Sequence, residues 1–151
     1  IIAIEPVPRN YDAARKNIKL NNLKNIDLIL AGCAGNKGFI KLDPNEPSNG
    51  SFIESENGTE IELITLDEII KKYEIKSGLL KLDCEGYENE IILSSKSETL
   101  SIFRYIYAEL HYDVIEPINE MKQKLEKLGF YVSLKGEMGK SKMPQYLEAK
   151  K

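Results

Sequence analysis

Apolar residues fall along this chain in short continuous runs, and between the runs they recur at helical spacing. Ile1-Ile2-Ala3-Ile4 is the first run, the pattern of a strand covered on both faces, and Pro6 and Pro8 break it. Tyr11, Ala14 and Ile18 then lie at i, i+3 and i+7, which predicts a helix from about Arg9 to Leu20, ended by Asn21-Asn22. Ile26 to Ala31 reads as a second strand. Gly35 to Gly38 is a turn signal before a strand over Phe39–Leu42. The polar, turn-rich stretch from Pro44 to Gly50 reads as an exposed loop, extending to Gly58, and Glu60–Ile64 as another strand.

The second half repeats the alternation. Thr65 and Glu68 have capping-box spacing, so a short helix is expected to reach about Tyr73. Leu79–Asp83 is a strand ending in an acid, Tyr87–Leu93 a helix, and Phe103–Leu110 an aromatic and β-branched strand closed by His111. Asp113 and Glu116 have cap spacing before a helix whose stripe is Ile118, Met121, Leu125 and Leu128, with Gly129 as its stop. Phe130–Leu134 and Tyr146–Ala149 are the last strands. Their connection, Lys135–Gln145, has no helical pattern, so they form an antiparallel hairpin. The expected fold is α/β: a mostly parallel sheet with helices on both faces and an antiparallel hairpin at its C-terminal end.

Composition narrows the class. The chain has 151 residues, enough for a single domain, of which 42% are apolar and 30% charged, with a net charge of −3. The slightly acidic balance argues against nucleic-acid binding. No apolar run approaches the roughly 18 residues that cross a membrane. Ile1–Ile4 is too short for a signal peptide, so the expected location is cytoplasmic. Two cysteines, Cys33 and Cys84, and the single histidine, His111, are too few for a zinc site of Cys and His. Both thiols read as reduced, and nothing in the sequence calls for a metal. The chain also starts inside a strand, on Ile rather than Met, which suggests a fragment with an N-terminal part missing.

Ligands of open α/β sheets sit beyond the C-terminal ends of the strands, so the polar groups there are the candidates. Glu5 can accept hydrogen bonds from both hydroxyls of a ribose, or it is a solvated acid beside a helix start. Gly32 and Gly35 in the Ala31–Gly35 turn would let an adenine lie close to the backbone, although any tight turn uses glycine. Asp83-Cys84-Glu85-Gly86-Tyr87-Glu88 sets three acids and a glycine after an apolar strand. Asp83 can hold an ammonium group or position a nucleophile. Glu85 is a further candidate base, and Glu88 reads as a charge favouring the next helix N-terminus. His111 can take a proton from a hydroxyl at neutral pH, or it is structural. Glu109 reads as no more than a partner for a lysine, and the lysines at the C-terminus as solvated surface.

Taken together these blocks resemble the FkbM-type methyltransferases. The resemblance rests on Ile2-Ala3-Ile4-Glu5-Pro6, Asn10-Tyr11 and Lys16 to Asn22, on Ile64 to Ile69, and above all on Leu80 to Glu88 followed by Ala108-Glu109-Leu110-His111. It implies a Rossmann-like, S-adenosylmethionine-dependent fold of seven strands. It also implies methylation of a hydroxyl oxygen on a sugar or secondary metabolite. By the same resemblance Glu5 would hold the cofactor ribose, Ala31, Gly32, Cys33 and Ala34 would flank the adenine, and Asp83 would lie beside the methionine end and the reacting methyl. The family's first strand and glycine-rich loop would precede Ile1. Cys84 stands where the family commonly has an aliphatic residue and reads as a packing substitution. Two other readings of the residues stay open: a nicotinamide-dependent oxidoreductase, and a non-catalytic binding domain that kept the fold.

Overall fold

A computed structural model describes residues 1–42, 58–111, 115–136 and 145–151 of the chain. The expected loop of 44–58 except Gly58, the Asp113 cap and most of the 135–145 connection lie outside them. The chain divides into two compact units, Ile1–Ile64 and Thr65–Lys151.

In the first unit β1 (Ile2–Glu5) and β2 (Asp27–Leu30) pair in parallel, Ile2 opposite Asp27 and Glu5 opposite Leu30. Parallel neighbours need a crossover, and α1 (Pro8–Leu20) supplies it. Its Pro8 sits where a missing N–H costs nothing. Tyr11, Ala14 and Ile18 are half-buried, as the spacing predicts. The two-sided cover expected for the first strand is not found: β1 is half-exposed along its whole length. Its main neighbours are β2, α1 and β3, and α1 itself buries no residue fully.

The Ala31–Gly35 turn contains a short strand, β3 (Gly32–Cys33), parallel to the end of β5 (Thr59–Ile64). The Ala34 N–H extends that pairing, donating to the Ile64 carbonyl at 3.0 Å. A side chain on Gly32 would put its Cβ 2.6 Å from Leu63 Cδ2, so the glycine lets these strands approach without displacing Leu63. β4 (Gly38–Leu42) runs antiparallel on the other edge of β5.

The second unit opens with α2 (Leu66–Lys72). Its capping box is complete: the Glu68 N–H donates to Thr65 Oγ1 at 3.3 Å and the Thr65 N–H to Glu68 Oε2 at 3.2 Å. There follow β6 (Gly78–Leu82), α3 (Glu88–Ser94), α4 (Ser97–Ser101), β7 (Phe103–Glu109), α5 (Glu116–Lys127), β8 (Tyr131–Lys135) and β9 (Tyr146–Lys150). The strands form one sheet in the order β6-β7-β9-β8. β6 and β7 are parallel, and β8 and β9 form the expected antiparallel hairpin.

Ile118, Met121 and Leu125 of α5 are fully buried, together with Ile91 and Ile92 of α3, Leu100 of α4, Ile106 of β7 and Leu147 of β9. This is the core of the unit. Lys124 ties α5 to α3, its Nζ donating to the carbonyls of Leu93 and Ser95 at 2.7 and 2.6 Å at the end of that helix.

The sequence suggested one mostly parallel sheet. Among the described residues the strands instead form three small sheets of two, three and four strands, with three parallel and three antiparallel pairings. The β4–β5 and β8–β9 pairs are antiparallel, and β9 also runs antiparallel to β7. Among the described residues no helix is long and apolar enough to cross a membrane.

Candidate active site

The site of the second unit is built by two strand ends. β6 and β7 are parallel with Leu82 opposite Ala108, so both finish on the same side. Asp83 follows β6 directly, Glu109 closes β7, and His111 lies two residues further on.

Asp83 is exposed, and its Oδ2 accepts from Lys81 Nζ at 2.7 Å. That bond holds the Lys81 ammonium above its ordinary pKa. Asp83, Glu109 and His111 each present one ligating atom within 4.8 Å of the other two. The grouping joins the ends of two strands, so no local pattern in the sequence marks it. The Lys81 ammonium already places a positive charge against Asp83.

The chain then turns sharply. Glu85 and Gly86 are both left-handed, with φ of +51° and +103°. Gly86 takes that conformation without penalty, whereas Glu85 needs support from its surroundings. The support comes from Glu88, the first residue of α3, whose side chain is fully buried. Its Oε1 accepts the Cys84 N–H at 2.7 Å and its Oε2 the Gly86 N–H at 3.1 Å. Glu88 Oε1 is also 3.1 Å from His111 Nδ1, while His111 Nε2 is 3.6 Å from Glu85 Oε2. The imidazole therefore lies between two carboxylates of the same turn.

Burial is the leading cause of two shifted ionisations here. It raises the Glu85 carboxyl, with the imidazole of His111 opposing it and the charges of Asp83, Glu88 and Glu109 adding to it. It pushes the Cys84 thiol up to about 11, and the neighbouring carboxylates of Glu88 and Asp83 add to that rise. Neither Cys84 nor Cys33 is in a disulfide. The Cys84 side chain is a half-buried thiol of depressed acidity, in keeping with a packing role.

In the first unit the Glu5–Leu30 pairing sets Glu5 and the Ala31–Ala34 segment at one end of the two-stranded sheet. Glu5 Oε1 accepts the Val7 N–H at 2.8 Å, which fixes the side chain across the turn into α1. Ala31, Gly32 and Ala34 are buried and Cys33 half-buried.

The structure thus gathers Asp83, Glu85 and His111 at one sheet end, and Glu5 with Ala31, Gly32, Cys33 and Ala34 at another. Sequence reasoning undervalued Glu88, read as a helix-start charge. It does start α3, but it also organises the turn and meets the histidine. The available signal was its place two residues after Gly86, close enough to receive the N–H groups of the turn it follows.

These are the features of an α/β domain with acid and imidazole groups at its strand ends. Compared with models of protein families, residues 1–132 match the methyltransferase FkbM domain, and the chain belongs to that family. Comparisons with curated proteins and with solved structures gave no match.

Proposed function

We propose that this methyltransferase domain uses S-adenosylmethionine and methylates a hydroxyl oxygen, on a sugar or a secondary metabolite. The observation that carries the reading is the meeting of Asp83, Glu85 and His111 where β6 and β7 end. Family membership supports methyl transfer. The parallel β1–α1–β2 unit, the parallel β6–β7 pair and the closing hairpin support a Rossmann-like sheet.

The residues present suit such a cofactor by their chemistry. Glu5 offers a carboxylate for ribose hydroxyls, Ala31 to Ala34 offer small side chains beside an aromatic base, and exposed Asp83 offers a negative charge for an ammonium group. When bound, the cofactor supplies a methyl on a positively charged sulfur, already activated for transfer. The protein's share is then to orient the acceptor and remove its proton. In this reading His111 takes the proton, with Asp83 or Glu85 as the other candidates.

Calorimetry with S-adenosylhomocysteine on the full-length protein tests the cofactor reading. Glu5→Ala is expected to weaken binding by about 1.5–3 kcal/mol, the range for hydrogen bonds to a charged group. Unchanged affinity would return Glu5 to the role of a solvated acid, and no binding by the parent would overturn the cofactor assignment.

A further inference from the structure

We propose that Glu88 is a positioning residue for His111: its buried carboxylate takes the Nδ1–H of the imidazole and so leaves the Nε2 lone pair to receive the acceptor's proton. The inference deepens the proposed function and rests on His111 as the base in that reading.

Polarity carries it. Both Glu88 oxygens already accept backbone N–H groups, Oε1 from Cys84 at 2.7 Å and Oε2 from Gly86 at 3.1 Å. An oxygen in that setting is an acceptor, so the ring nitrogen 3.1 Å from Oε1 is its donor. A neutral imidazole has one N–H; once it is on Nδ1, Nε2 is the acceptor. Nε2 lies on the side of Glu85 Oε2, at a distance of 3.6 Å, too long for a hydrogen bond. Glu88 is fully buried and anchored from two directions by the turn, so it holds the ring in one orientation. A carboxylate behind an imidazole has the same effect in catalytic triads, where it fixes the tautomer without itself taking the proton. The charged and titratable groups around the ring are Asp83 and Glu85 from the turn, Glu88 from α3 and Glu109 from β7.

His111 is the single histidine of these 151 residues, and its ring signals in the full-length protein are assigned as those absent from His111→Ala. In the full-length protein labelled with ¹⁵N-histidine, at a pH where the ring is neutral, the Nδ1–H tautomer is expected to dominate. Dominance of Nε2–H would overturn the proposal, and this spectrum of the parent needs no variant to fold. Glu88→Gln replaces an acceptor oxygen with a donor, so it should populate Nε2–H. It should also lower kcat about 10²-fold or more while the affinity for S-adenosylhomocysteine stays within a few-fold. A variant that loses stability but keeps both tautomer and kcat would make Glu88 a clamp of the turn only and overturn the proposal. If Glu88→Gln shifts the tautomer while His111→Ala turns over within a few-fold of the parent, the base reading of His111 fails. The control of the ring by Glu88 then stands without a catalytic consequence.

Discussion

Asp83 and His111 are near neighbours with different expected duties, and substitution separates them. Asp83→Asn keeps the shape and removes the charge, so it should harm both S-adenosylhomocysteine binding and turnover. His111→Ala should spare binding and lower turnover by about 10²–10⁴-fold, the usual contribution of a general base. Calorimetry beside a methyl-transfer assay reads both quantities. Turnover of His111→Ala within a few-fold of the parent would pass the base role to Asp83 or Glu85. Cys84 follows Asp83 in the chain, and its thiol is raised from 9.0 to about 11. The rise lowers its thiolate fraction at pH 8 by about 100-fold, and the thiolate is the reactive form. Peptide-resolved alkylation of the folded protein should therefore find Cys84 sluggish, and reaction at the rate of a free thiol would contradict the burial. The neighbouring acids already argue for a weakly acidic thiol, and burial, which only the fold supplies, is the larger cause.

Among the elements, α2 shows what local sequence can fix. Its capping box involves residues three apart, so the spacing of Thr65 and Glu68 alone was enough to place its start. Thr65→Ala should cost about 1 kcal/mol, within a range of roughly 0.5–2, measured by urea unfolding. No effect would mean that the box is formed but idle. The stripe of α5 was legible for the same reason, and Ile118, Met121 and Leu125 are all buried. α4 was not legible: five residues are too few for a helical period to show. β3 was hidden too, because a two-residue strand in a glycine-rich turn acquires its identity from β5, some thirty residues away.

Across the whole molecule the units differ in how much they bury. Ile106, Ala108, Leu147 and Ala149 in β7 and β9 have no exposed surface, whereas α1 has no buried residue. Local opening is cheapest where few apolar contacts are lost. Native-state hydrogen exchange should therefore find the slowest amides in β7 and β9, with those of α1 exchanging by frequent local opening. Protection in α1 equal to that of β7 would refute this ranking.

Much of the element order, the α/β class, the closing hairpin and the family resemblance were determined by sequence alone, because hydrophobic period, caps and turn residues act over a few positions. The same local information put Asp83 and His111 at strand ends. Tertiary structure decided which strands pair and therefore which ends meet: the β6–β7 register sets His111 beside the Asp83–Glu88 turn from more than twenty residues away. It also decided what Glu88 is. A glutamate at a helix start is ordinarily a solvated charge, and only burial against two backbone N–H groups and an imidazole makes it the anchor of this site. Burial and partners depend on chain segments far apart in sequence, and no local pattern encodes them.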